Sequence, residues 1–144
     1  MASENGLLRR IAWLYFAGFA FVVIVTHVPA FNDAEGRSFG LFKIDPRDDF
    51  VHILSAIVGF AVAFTGRWIR PYLWTVAVLY GVDALVGMFT SQGLLDLSVF
   101  TQSWQPPDFS VRNFAINLPH FVITGVALAV LLRPSPASHA HATS

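Results

Sequence analysis

The sequence predicts an all-α integral membrane protein: a four-helix bundle with both termini in the cytoplasm and two extracytoplasmic loops. Its 144 residues are 55% hydrophobic and only 12% charged, whereas soluble domains carry roughly 25% charged residues. Four apolar runs are each long enough to cross a bilayer, which takes about 20 residues in a helix. These runs cover about residues 7–31, 50–68, 71–91 and 111–132.

The first run has a feature of a signal peptide, because Arg9 and Arg10 precede an apolar stretch. Its apolar part is longer than a signal-peptide core of about 7–15 residues. We therefore expect it to be retained as the first membrane helix of a transmembrane domain over residues 1–134. Residues 135–144 are mostly Ala, Ser, His and Thr, and we expect this tail to be disordered.

Prolines mark the starts of the second and third helices. Pro46 and the acidic residues after it open the second helix, and we expect Asp48 or Asp49 to cap it, where negative charge meets the helix dipole favourably. Pro71 stands in the first turn of the third helix, where a missing N–H costs nothing.

Small residues four positions apart let helix backbones approach closely in lipid. They are Ser55, Gly59 and Ala63, then Ala77 and Gly81, then Gly125 and Ala129.

Basic residues set the orientation of membrane helices. Arg9 and Arg10 precede the first run, Arg67 and Arg70 lie in the link between the second and third, and Arg133 follows the fourth. The other two loops hold most of the acidic residues outside the helices. The pattern predicts a multi-pass protein of the bacterial cytoplasmic (inner) membrane with both termini cytoplasmic.

Each of the four runs carries an ionisable side chain at a similar depth. Because a helix rises about 1.5 Å per residue, these groups lie about 20 to 25 Å from the cytoplasmic arginines. Charged groups at this depth are expected to face inward and pair, and the pair with matching depth is Asp83 with His120. The candidate site residues of this layer are His27, His52, Asp83, Asn117 and His120.

The layer leaves structural and functional interpretations open. His27 and His52 could be interfacial, with imidazoles reaching lipid headgroups, and the depth count places His52 at the rim of the layer. Asp83 and His120 could serve packing alone, since membrane bundles use buried polar pairs. They could equally form a ligand, ion or proton site.

Composition limits the function. The chain has no cysteine, which removes disulfides, thiolate metal sites and cysteine nucleophiles. The net charge of zero gives no reason to expect nucleic acid as a partner. No nucleophile motif or phosphate loop is present, so enzymatic activity is not predicted. The leading prediction is a non-catalytic integral membrane protein, an accessory or structural component of a larger assembly, with the lipid bilayer and other membrane subunits as partners.

Two alternatives use the polar layer chemically. In the first, the protein is a membrane redox protein that holds haem b between two histidines or binds a quinone. The three histidines His27, His52 and His120, together with Asp83, could also hold a metal, since imidazole suits Zn, Cu and Fe. In the second, Asp83 and His120 serve a small proton-coupled transporter.

A segment before the second helix resembles a known family. It reads Gly40-Leu41-Phe42-Lys43-Ile44-Asp45-Pro46, with Val51-His52 following. This is similar to the G-L-F-x-(I/V)-(N/D)-P segment and nearby histidine of small bacterial four-helix membrane proteins known only as a domain of unknown function. The resemblance implies the four-helix membrane layout and no particular chemistry.

Overall fold

The computed structural model describes residues 2–43, 45–103 and 105–133. It contains α1 (Ala2–His27), a 3-10 turn (Pro29–Phe31), α2 (Pro46–Thr65), α3 (Ile69–Thr90), α4 (Ser98–Thr101) and α5 (Val111–Leu131). The four long helices are long and apolar enough to cross a membrane, and the described residues contain isolated β-bridges but no β-strand. The predicted all-helical fold, with four helices long and apolar enough to span a membrane, is confirmed. The tail predicted to be disordered lies outside the described residues.

The first helix ends at His27, before the end of the apolar run. Proline disfavours a helical conformation at the residue before it, and Val28, which precedes Pro29, has φ −94° and ψ 113°. The Asn32 amide donates hydrogen bonds to carbonyls of this helix end, including that of Val25 at 3.1 Å. Asn32 therefore satisfies acceptors that the helix itself cannot.

The cap of α2 differs from the prediction. Asp45, and neither Asp48 nor Asp49, occupies the N-cap position, and its carboxylate accepts hydrogen bonds from the N–H groups of Arg47 (2.7 Å) and Asp48 (3.1 Å). Pro46 is the first helical residue, so the cap must be the residue before it. Asp48 and Asp49 lie in the first turn, where negative charge is favourable.

The long helices pack mainly as two pairs, α1 with α2 and α3 with α5. The guanidinium of Arg9 donates to the carbonyls of Ala63 (2.8 Å) and Phe64 (2.9 Å) at the end of α2. Arg70 donates to the carbonyl of Leu131 (3.2 Å) at the end of α5. Arginines thus satisfy helix-end carbonyls in both pairs, at the end of the bundle that carries the chain termini.

Small residues allow close contacts between helices at two of the predicted positions. A Cβ on Gly59 would lie 2.6 Å from the Tyr72 hydroxyl, and a Cβ on Gly81 would lie 3.0 Å from a Thr124 methyl. Both distances are too short for a larger residue without movement of the neighbour.

The predicted small-residue seam of the fourth helix is wrong. A Cβ on Gly125 would meet no atom within 4 Å, and Ala129 is exposed. Ala127 is fully buried and belongs to the core. The helix is therefore rotated so that a different face packs on α3.

The opposite end of the bundle is covered by the two long loops. Residues 32–43, here called the cap segment, turn back on themselves through two β-bridges centred on Ser38. Asp33 accepts hydrogen bonds from the backbone N–H (2.7 Å) and the Nε (2.9 Å) of Arg37. These bonds hold the pKa of the Asp33 carboxyl below its usual value, and the hydrogen bond from the backbone N–H of Arg37 contributes most.

Candidate functional site

Asp83 joins three parts of the chain. Its side chain, only 6% exposed, projects from α3, and its Oδ2 lies 2.8 Å from Nδ1 of His120 on α5. The Nδ1–H direction is not aligned with that oxygen, so this is a close polar pair without good hydrogen-bond geometry. Oδ1 accepts the backbone N–H groups of Leu94 (2.7 Å) and Leu95 (2.8 Å) in the loop after α3. The predicted contact between Asp83 and His120 is confirmed.

The backbone partners of Asp83 could not be found from the sequence. Every residue except proline carries an N–H, so a loop that turns back onto a buried carboxylate has no distinguishing residue type. The apolar character of Leu94 and Leu95 indicated only that this loop avoids water. Its folding over the bundle makes Asp83 an anchor for the loop as well as a partner of His120.

Asn117 is buried but stands apart from Asp83 and His120. Its amide nitrogen donates to the backbone carbonyl of Asn113 (2.9 Å) one turn away. Its side chain packs against Gly87 of α3, where a Cβ would lie 2.1 Å from the Asn117 Oδ1. Asn117 therefore contributes to the close contact of α3 with α5, and the structure does not bring it into the polar group around Asp83.

His52 lies inside the bundle, which corrects the expectation that it stands at the rim. It is 8% exposed, and its ring centroid lies 6.5 Å from that of His120 and 6.2 Å from that of Tyr80. The Tyr80 ring is in turn 5.3 Å from His120. Because α2 begins as early as Pro46, His52 is already about one and a half turns inside the helix. We call His52, Tyr80, Asp83 and His120 the histidine pocket.

His27 does not join the histidine pocket. Its side chain is 61% exposed, and its Nε2 lies 3.7 Å from a carboxylate oxygen of Asp49. Its Nδ1 contacts the carbonyl of Val23 at 2.8 Å. The three histidines and Asp83 therefore do not converge on one metal position. Within the described residues, one acidic group has metal-like spacing: Asp45, Asp48 and Asp96.

The polar contacts of the two pocket histidines indicate which ring nitrogen of each is left without a partner. Nδ1 of His52 lies 2.8 Å from the backbone carbonyl of Asp48, which can only accept, so this nitrogen carries the proton. Nδ1 of His120 lies 2.8 Å from a carboxylate oxygen, and although the two atoms are not aligned as a hydrogen bond, only a protonated Nδ1 avoids turning a lone pair toward that oxygen. No described residue hydrogen-bonds to the Nε2 of either ring. Neither Nε2 is fully enclosed, so both remain accessible to a ligand.

Both imidazoles line a cavity of about 360 Å³ beneath the cap segment. Its walls are mostly apolar and come from α1, the cap segment, α2 and α5, and its polar lining also includes Thr26, Ser38, Lys43 and Asp48. A second, almost wholly apolar cavity of about 490 Å³ runs between α1 and α5. The two cavities share four lining residues, Val22, Phe42, Pro119 and Ile123. The two cavities therefore adjoin each other along these residues, and the pair is here called the α1–α5 cleft.

The cleft exists because the helices pack pairwise, which leaves α1 and α5 in loose contact. The Tyr15 hydroxyl donates a hydrogen bond to the carbonyl of Ile123 and links the two helices. Leu14 and Val122 line the cleft and are 59% and 54% exposed, so the cleft opens sideways onto the apolar surface of the bundle. The two imidazoles line the first cavity, which adjoins this open part of the cleft.

The arrangement defines a class: a helical protein with four membrane-length helices and a buried histidine pocket at the head of a lateral cleft. The family model described as a domain of unknown function (DUF4383) matches residues 8–103, and the chain belongs to this family. The predicted resemblance to a family of unknown function is thereby confirmed. His52 and Asp83 lie within the matched residues, and His120 lies beyond them. No curated protein matches the chain, and no solved structure does.

Proposed function

We propose that this protein binds a lipid-soluble molecule of the quinone class, with the apolar tail in the α1–α5 cleft and the polar head in the histidine pocket. One observation carries the proposal. His52 and His120, whose Nε2 atoms have no bonding partner among the described residues, both line a cavity that adjoins the second, almost wholly apolar cavity. Ligand sites are typically apolar cavities of about 300–1,000 Å³ with a few convergent polar groups.

The shape of the pocket favours a small flat head over haem. Haem b would need His52 and His120 on opposite faces of a porphyrin. The Tyr80 ring lies 6.2 Å from one imidazole and 5.3 Å from the other, so a porphyrin between them would overlap it. A single quinone ring needs much less space and can pack against Phe42, which lines the same cavity as the two histidines.

We propose a non-catalytic role for the protein, in the bacterial cytoplasmic membrane with both termini in the cytoplasm.

The open edge of the α1–α5 cleft favours a second candidate, an accessory component of a larger membrane assembly. Leu14 and Val122 present apolar surface on which a helix of another subunit could pack in place of a ligand tail. A cysteine introduced at Val122, in a chain that has none, would then cross-link to one defined partner.

The proton-coupled transporter stays a prediction. Both carboxylate oxygens of Asp83 are engaged, one by the N–H groups of Leu94 and Leu95 and the other by His120. A carboxylate held in this way favours anchoring of the loop over a transported charge.

The test is extraction of co-purified lipids. The protein, purified from membranes in mild detergent, is expected to carry a quinone that mass spectrometry detects in an organic extract. Gly18→Leu fills the cleft from α1, and its control is Gly125→Leu, because both glycines have open space around Cβ but only Gly18 lines the cleft. The quinone content should fall in the first variant alone.

Results of two kinds, from the quinone assay and from the absorption spectrum, would overturn the proposal. One is no quinone in the wild type, or equal amounts in both glycine variants. The other is a reduced-minus-oxidised haem absorption band that disappears in His120→Ala, which would replace the quinone by haem. Cross-linking of a cysteine at Val122 to one defined protein would support the accessory role instead.

A further inference from the structure

His52 offers one fixed hydrogen-bonding group to the cavity. Its Nδ1–H is committed to the carbonyl of Asp48 at 2.8 Å. Burial of a charged imidazolium among apolar groups is costly, and His52 is 8% exposed with Phe19 and Tyr80 beside its ring. The resident form is therefore the neutral one, and its Nε2 is an acceptor. A ligand group that bonds to this nitrogen must therefore be a hydrogen-bond donor.

His120 differs because a carboxylate stands behind it. Its Nδ1 lies 2.8 Å from Oδ2 of Asp83, and its Nε2 accepts when only Nδ1 carries a proton and donates when both nitrogens do. Its Nε2 can therefore accept or donate. The pocket thus combines one obligatory acceptor, on His52, with one adaptable group, on His120.

The spacing of the two rings decides how they meet a ligand. Their centroids are 6.5 Å apart, too close for the imidazoles to bind the two oxygens on opposite sides of one quinone ring. This separation fits an arrangement in which both imidazoles bind the same ligand oxygen. A hydroxyl suits this position, because it donates to Nε2 of His52 and keeps lone pairs for an N–H on His120.

We propose that the histidine pocket selects the reduced, hydroxyl-bearing form of its quinone-class ligand, with one hydroxyl held between His52 and His120. This inference rests on the proposed function. A quinone carbonyl only accepts, so opposite His52 it would leave two acceptors facing each other, both desolvated and unpaired. A site built for a hydroxyl rejects an analogue that lacks the donor.

The experiment compares three ligands with one isoprene unit on the full chain in lipid nanodiscs, under anaerobic conditions: a benzoquinol, its quinone and the dimethyl ether of the quinol. Dissociation constants come from equilibrium dialysis with chromatographic detection. The quinol is expected to bind about tenfold or more tightly than the quinone. The dimethyl ether, which lacks donors, is expected to bind no better than the quinone. These three binding measurements use the wild-type protein alone, so they do not depend on whether a substituted protein folds.

A substitution then assigns the selectivity to His52. His52→Phe keeps a ring of similar size and removes the acceptor, so quinol affinity should fall to that of the quinone, whose own affinity should not fall. His27→Phe is the matched control, because His27 lies outside the pocket, and it should keep the preference.

The outcomes separate the two proposals. If quinone and quinol bind equally, if the quinone binds more tightly, or if the dimethyl ether matches the quinol, the selectivity for the reduced form is wrong while the quinone site stands. If His27→Phe removes the preference as His52→Phe does, the assignment to His52 is wrong. If none of the three ligands binds the wild type, the proposed function fails as well.

Discussion

Oδ2 of Asp83 on α3 lies 2.8 Å from Nδ1 of His120 on α5. The other oxygen of the same carboxylate holds the backbone of Leu94 and Leu95. One buried carboxylate therefore ties two membrane-length helices and the loop between them. It also orients the His120 ring, so that Nε2 is the nitrogen left for a ligand.

Removal of the Asp83 carboxylate should destabilise the protein. Asp83→Ala leaves two backbone N–H groups and His120 without their acceptor, and we expect a loss of about 2 to 4 kcal/mol of stability. Asp83→Asn keeps one acceptor oxygen for the loop and should cost less. Thermal unfolding in detergent gives the stability, and hydrogen exchange at residues 94 and 95 reports on the loop.

The matched surface control is Glu35→Ala, because Glu35 is 64% exposed and surface changes usually stay within about 0.5 kcal/mol. Equal stability of Asp83→Ala and Glu35→Ala would show that the carboxylate is not the anchor.

The contact of Gly87 with Asn117 should tolerate no added methyl group. Gly87→Ala would place a Cβ 2.1 Å from the Asn117 Oδ1, and we expect a loss of about 1 to 3 kcal/mol by overpacking. Gly125→Ala, where a Cβ meets nothing within 4 Å, should be close to neutral in a thermal unfolding assay.

A second substitution tests the cause of this effect. Asn117→Ser makes room for the methyl group, so Gly87→Ala should cost less in the Asn117→Ser background than in the wild type. Full additivity of the two changes would rule out a steric clash.

The orientation in the membrane can be read with single cysteines, because the chain contains none. Cysteines at Glu35 and Gln105, one in each long loop, should react with a membrane-impermeant maleimide added to intact cells. A cysteine at Asn5 should react only after the cells are permeabilised. Labelling of Asn5→Cys in intact cells, with both loop cysteines protected, would show that the orientation is opposite to the one predicted from basic residues.

The cap segment should loosen in acid. The folded pKa of Asp33 is depressed, first by the backbone N–H of Arg37, so its stabilising effect is complete above the unfolded pKa, about 3.9. The effect is lost as the pH falls through the lower folded value. Hydrogen exchange of residues 33–42, corrected for intrinsic rates, should show less protection below about pH 4. Asp33→Asn should remove this pH dependence, and a variant that keeps it would exclude Asp33 as the cause.

Part of the candidate site followed from sequence alone. The contact of Asp83 with His120 was predicted because depth along a helix depends only on the rise per residue, about 1.5 Å. Rotation about the helix axis is different, because it depends on packing against neighbours. For that reason the depth count could not separate His52, which faces Tyr80 and His120, from His27, which faces outward.

The sequence by itself determined the four membrane-length helices and the depth of their polar side chains, because run length, composition and helical rise are local properties of the chain. Only the tertiary structure decided which faces meet. The pairing of α1 with α2 and of α3 with α5 leaves the α1–α5 cleft, and the return of the loop supplies backbone partners to Asp83. Both depend on contacts between segments far apart in the chain, which no local pattern of residues encodes.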